Sequence, residues 1–120
     1  MDADELKQRT KKFALRIIKL VESLPKTKTG DVIGKQLLRC GTSVGANYRS
    51  ACRARSKADF ISKAGIAIEE ADETIYWIEL LIEGNLISQP MSEQLLKEAN
   101  ELTAILTASV ITARKNLQKT

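Results

Sequence analysis

Ser56-Lys-Ala-Asp-Phe-Ile-Ser-Lys-Ala-Gly-Ile-Ala-Ile-Glu-Glu-Ala-Asp-Glu-Thr-Ile-Tyr-Trp-Ile-Glu-Leu-Leu-Ile-Glu-Gly84-Asn85 sets the architecture of this chain. Within it Ile61, Ala64, Ile68, Ala71, Ile75, Ile78 and Ile82 alternate by three and four, which is the repeat of one helix face packed in a coiled-coil manner. Ser56 is placed to cap the N-terminus with Asp59 three residues on, a capping-box spacing. Gly84-Asn85 has the chemistry of a C-cap. The segment therefore predicts one long helix with an apolar seam.

Three further segments carry helical period. From about Asp4 to Ser23, Leu6, Phe13, Ile17 and Leu20 fall on one face, and Pro25 and Gly30 end the run. A second helix opens near Asp31, an acid suited to a helix N-terminus, and reaches about Ala54, with a seam of Ile33, Leu37, Cys40, Val44, Asn47, Ala51 and Ala54. After Pro90, Ser92 can cap a last helix with an inner face of Leu95, Ala99, Leu102, Leu106, Ala113 and Leu117. Four helices of about 20 to 28 residues joined by short loops predict an all-α, antiparallel up-down-up-down four-helix bundle, a single domain over residues 1–120.

Composition bounds the function. The chain has 120 residues, 43% of them hydrophobic, and no apolar run approaches the roughly 20 residues a membrane helix needs. Met1-Asp-Ala-Asp-Glu5 is acidic and lacks the layout of a secretory signal, so a cytoplasmic protein without a membrane partner is expected. Cys40 and Cys52 would lie roughly 18 Å apart on one helix, beyond the roughly 7 Å limit for a disulfide. With no His in the chain, zinc sites of the usual N/S type, His-based triads and Glu-x-x-His di-iron sites are excluded. Paired acids such as Glu69 with Asp72 or Glu73, and Glu79 with Glu83, read as solvated or ion-paired. No metal, cofactor or catalytic residue is expected, and the chain is read as not an enzyme.

Charge is segregated. Between Lys7 and Lys57 there are fourteen Lys or Arg against Glu22 and Asp31, whereas from Ala58 onward there are five against ten acids, so a net charge of +4 hides two halves of opposite sign. In an antiparallel bundle one end gathers Lys7, Arg9, Lys11, Lys12, Arg49, Arg53, Arg55, Lys57, Lys63, Arg114, Lys115 and Lys119. A basic pole able to concentrate a polyanion follows from that topology, and the obvious polyanion is nucleic acid. The other end is expected to hold Glu22, Asp31, Glu79, Glu83, Glu93 and Glu98. The competing account is that basic residues at helix C-termini complement the dipole and solubilise the bundle. Folding back at Ser56 would pair Arg39 with Asp72 or Glu73 and Lys35 with Glu79, but sets Arg49 opposite Lys63, where the charges reinforce.

Gly34, Gly41 and Gly45 recur near helical spacing in the second helix, each at a cost of about 1 kcal/mol relative to Ala. Close approach of a neighbouring helix is the expected reason. A phosphate loop is the alternative, but Gly41-Thr-Ser-Val-Gly45 lacks its lysine. Asn47, on the seam, is read as a register-fixing polar residue. Trp77 and Leu80, with Ile66, fall on the face of the third helix opposite its seam, which predicts a subunit interface and a homo-oligomer. Tyr48 and Tyr76 read as core or interface contacts rather than as base-stacking platforms.

The run Leu37-Leu-Arg-Cys-Gly-Thr-Ser-Val-Gly-Ala-Asn-Tyr-Arg-Ser50, followed by Lys57-Ala-Asp-Phe-Ile-Ser-Lys63 and Glu69-Glu-Ala-Asp-Glu-Thr-Ile-Tyr-Trp-Ile-Glu-Leu-Leu81, resembles a bacterial four-helix-bundle family. That family includes proteins encoded in intervening sequences of 23S ribosomal RNA genes, and the accessory variability determinant of diversity-generating retroelements is similar to it. The resemblance implies a homopentameric barrel of bundles, no established enzymatic activity, and, for the retroelement branch, binding of nucleic acid and of a reverse transcriptase through basic surface. On this chain the Ser43-Val44-Asn47-Tyr48 and Glu73-Thr74-Tyr76-Trp77 motifs would be structural and interfacial. Two functions result: an oligomeric protein that binds nucleic acid, RNA first, through phosphates, or an oligomeric scaffold that docks a protein such as a reverse transcriptase.

Overall fold

A computed structural model, which describes residues 1–118, contains α1 (Ala3–Glu22), α2 (Lys28–Cys52), α3 (Lys57–Glu83) and α4 (Gln89–Gln118), with no strand among the described residues. Each helix packs mainly on its neighbours in sequence, and α1 meets α4 only sparsely. The result is a four-helix bundle measuring 53 × 22 × 21 Å. Its core runs the length of the rod through Phe13, Ile17, Leu37, Val44, Ile78, Leu81, Leu102 and Leu106, each fully buried. Side chains of this size contribute about 1.5–3 kcal/mol each on burial, enough to outweigh the weak intrinsic preference of a β-branched residue for a helix.

Local chemistry fixes where the helices begin and end. Thr27, in extended conformation, caps α2 by accepting the Gly30 N–H at 3.1 Å, so α2 opens three residues before the expected Asp31, which sits in its first turn. Gly30 is required there, because a Cβ would stand 2.2 Å from the Pro25 carbonyl oxygen. Ser56 caps α3 as its spacing predicts: the Asp59 N–H donates to its Oγ at 3.1 Å, and Asp59 in turn accepts the Arg55 N–H at 3.3 Å. At the far end Leu86 N–H donates to Leu81 O at 2.9 Å and Asn85 N–H to Ile82 O at 3.1 Å, a Schellman closure. The left-handed residue is Asn85, with φ 58°, not Gly84. Asparagine tolerates that region because its short amide side chain can satisfy the local backbone.

Several seam assignments shift. In α3 the deepest residues are Ala64, Ala67, Ala71, Thr74, Ile78 and Leu81, while Ile61, Ile68, Ile75 and Ile82 are half-buried flanks. The helix is rotated because it packs against both α2 and α4, and the alanines let both come close while the isoleucines fill the wedges on one side. In α2, Tyr48 takes the buried position expected of Asn47, whose amide donates to Ser43 O at 2.8 Å within its own helix. Asn47 is thus a satisfied flank residue, not a register device. In α4, Ser92 lies inside the helix with its hydroxyl donated to Ser88 O at 2.7 Å, so it is not the cap. Val110 joins the core, whereas Leu117 is exposed.

The glycines of α2 do what their spacing predicts. A Cβ at Gly41 would lie 2.8 Å from both Cγ1 and Cγ2 of Ile17, one at Gly45 would lie 3.1 Å from Thr10 Oγ1, and one at Gly34 would lie 3.3 Å from Leu24 Cδ1. Helix α1 is therefore seated directly on a glycine stripe of α2. Thr10 is fully buried at this contact and satisfies its hydroxyl by donation to Leu6 O at 2.9 Å.

Candidate nucleic-acid interface

Close seating of α1 on α2 leaves a groove at the end of the rod where α1 begins, α2 ends and α3 begins. Lys7 and Lys11 of α1, Arg49 and the C-cap residue Arg53 of α2 and Lys63 of α3 line it, with Thr42, Gly45, Ala46 and Ser50 also along it, in a volume of about 620 Å³. Arg49 and Lys63 share this groove, so like charges gather there as the hairpin between α2 and α3 requires. None of the ion pairs found among the described residues involves Lys11, Arg49 or Arg53. Lys7 meets only Asp4 of its own helix, at 3.8 Å, and Lys63 meets Asp59, one turn before it, at 3.2 Å.

The remaining expected cations divide between two other surfaces. Arg55 and Lys57 border a shallow hollow with Ala3, Tyr48, Cys52, Phe60 and Ala113, so the residue preceding Arg114 and Lys115 reaches the same end of the bundle. Lys12 and Arg9 line the opposite flank of α1 with the acids Asp4 and Glu5. Arg9 is committed to structure: its guanidinium donates to Glu98 at 2.7 and 2.8 Å and also bonds Glu101, bridging the sparse α1–α4 seam. The hydrogen bond to Glu98 leads in pushing its pKa well above the ordinary value. Arg9 is thus not a free cation of the pole, and Glu98 lies beside α1 rather than at the acidic end. Lys119 lies outside the described residues.

Arg39 bonds Glu70 at 3.2 Å and also Glu73, so of its two expected partners Glu73 is confirmed and Asp72 is replaced by Glu70, one helical turn from Glu73. Glu73 further accepts the Trp77 indole N–H at 3.1 Å. Trp77 is therefore half-buried and fixed against the core, while Ile66, Tyr76 and Leu80 are 42%, 54% and 36% exposed. Sequence spacing alone placed Trp77 on the outer stripe; its indole swings back toward Glu73, one turn earlier, a rotamer choice invisible to periodicity. Tyr76 stands edge-on to it, with ring centroids 5.4 Å apart.

Cys40 and Cys52 are both free. Burial is the main cause raising the Cys40 thiol above its ordinary value. Burial, with the Cys52 contact next, does the same to the Tyr48 phenol. Among the described residues no group of three or more Cys, Asp or Glu gathers as metal ligands, and no helix is long and apolar enough to cross a membrane.

Fold and groove together define the class: an antiparallel helical bundle that collects basic side chains in a cleft at one end. The sequence matches the family described as 23S rRNA-intervening sequence protein over residues 4–108, and the chain belongs to that family. It is similar to a Bacteroides thetaiotaomicron VPI-5482 protein of the S23 ribosomal protein family, described as of unknown function. The crystal structure of that protein aligns with a TM-score of 0.85 at 40% identity, over 92% of this chain and 98% of the other. No curated protein matches the sequence.

Proposed function

We propose that this protein is a non-catalytic, oligomeric nucleic-acid-binding protein of the cytoplasm that grips phosphates, RNA first, through its basic end. The observation that carries this reading is the convergence of Lys7, Lys11, Arg49, Arg53 and Lys63 from three helices on one groove. Like charges brought together raise the local potential and attract a polyanion far more than the same charges dispersed. The family description, which concerns 23S rRNA-intervening sequences, supports RNA as the polyanion to test first. Arg55, Lys57, Arg114 and Lys115 extend the field around the same end, and a pentamer would repeat it five times, a number suggested by the family resemblance. The test is charge reversal of Arg49, Arg53 and Arg55 to Glu. RNA affinity should collapse with helicity retained, and affinity unchanged in the triple variant would end the proposal.

A second reading rests on a different surface. Ile66, Tyr76 and Leu80 expose apolar area along α3, which suits a homo-oligomeric scaffold that docks a protein partner, such as a reverse transcriptase. Specific co-purification of one protein after nuclease treatment, with no shift of labelled RNA at low salt, would favour this reading over the first.

A further inference from the structure

We infer that the groove between α1 and α2 takes one unpaired nucleic-acid strand, backbone inward, and excludes a duplex; this rests on the proposed function and narrows its substrate class. Both walls carry charge. Lys7 and Lys11 stand one turn apart on α1, and Arg49 stands in the last turn of α2 with Arg53 at its C-cap. The step on α1 is about 6 Å along the helix, comparable to the spacing of successive phosphates on an extended strand. Long stems let these cations line the rim of the groove.

The space between the walls leaves room for what they attract. Ala46 and Ser50, both exposed, present little side-chain bulk between the cations, and Gly45 beneath them is where α1 seats on α2, with the Thr10 backbone carbon 3.4 Å from where a Cβ would be. A volume of about 620 Å³ is of the size that holds a small organic molecule. A duplex is wider than a cleft between helices whose axes lie about 8–10 Å apart, and could touch only the rims. No aromatic residue lines the groove, so bases are not stacked there and face solvent. Recognition is accordingly by charge and width, blind to sequence.

The experiment is fluorescence anisotropy with labelled oligouridylate, labelled oligoadenylate and an RNA duplex, across a salt series, on the full chain. The two single strands should bind alike and at least tenfold more tightly than the duplex. Their log affinity should fall with log salt at a slope of about 0.7 per phosphate held. Filling that space without changing charge, by Ala46→Leu with Ser50→Leu, should weaken single-strand binding at least tenfold with the circular dichroism spectrum unchanged. A duplex bound as tightly as the single strands, a measurement that needs no variant, overturns the groove and leaves the basic end standing. So does a filled variant of unchanged affinity when Arg49→Glu with Arg53→Glu abolishes binding. If that charge reversal has no effect either, groove and proposed function fall together.

Discussion

Gly41 is held in place by Ile17, a fully buried β-branched side chain with no free rotamer to retreat into. Gly41→Ala should therefore destabilise the fold by about 1–2 kcal/mol, an overpacking penalty only partly offset by alanine's better helix propensity. Gly65 in α3 is the internal control, since a Cβ there meets nothing within 4 Å, and Gly65→Ala should stabilise by about 0.5–1 kcal/mol. Urea unfolding of the two variants beside the parent separates steric fit from propensity. The cysteines make a second contrast. Cys40 is fully buried with its thiol pKa raised, whereas Cys52 is half-buried beside Tyr48. A thiol reagent should label one cysteine per chain under native conditions, Cys52 by mass spectrometry, and reach Cys40 only on unfolding. The spacing of Gly34, Gly41 and Gly45 announced a close helix contact, but that Ile17 and Thr10 fill it could not be read from the sequence, because residues far apart in the chain meet there.

The start of α3 couples a cap to a titration. Ser56→Ala should cost about 1 kcal/mol by leaving the Asp59 N–H without its side-chain acceptor. The Arg55 N–H first, and Lys63 after it, hold the Asp59 carboxyl below its ordinary 3.8. A carboxyl lowered in the folded state stabilises above its unfolded value and loses that contribution as pH falls through the folded one. The difference in thermal midpoint between the parent and Asp59→Asn should thus be constant near neutrality and close once pH drops below 3.8. This cap was legible from two residue types at a fixed spacing. The rotation of the α3 seam from the isoleucines toward Ala67, Thr74 and Leu81 was not, since both stripes satisfy the same three-four repeat and only contact with two neighbouring helices distinguishes them.

For the rod as a whole, charge and apolar surface lie on different parts of the molecule. The basic groove occupies one end, and Ile66, Tyr76 and Leu80 run along the side of α3. Binding and assembly should consequently separate by mutation. Ile66→Lys with Leu80→Lys should reduce the particle mass in light scattering from a multiple of 13.3 kDa to that single value, with the helical spectrum kept. RNA affinity per chain should fall only by the multivalency lost with the partner grooves. A variant still larger than one chain would remove the side of α3 as the interface.

Helix count, helix type, the caps of α3 and the crowding of cations at one end followed from the linear chain, because periodicity, capping chemistry and short loops act locally and antiparallel connection leaves few arrangements. Which cations stand free was settled by packing. Arg9 and Lys11 are equivalent in one dimension, yet α4 brings Glu98 and Glu101 to Arg9 and none of the ion pairs among the described residues reaches Lys11. The groove itself belongs to the same order of information, since its lining comes from three helices that only packing brings together.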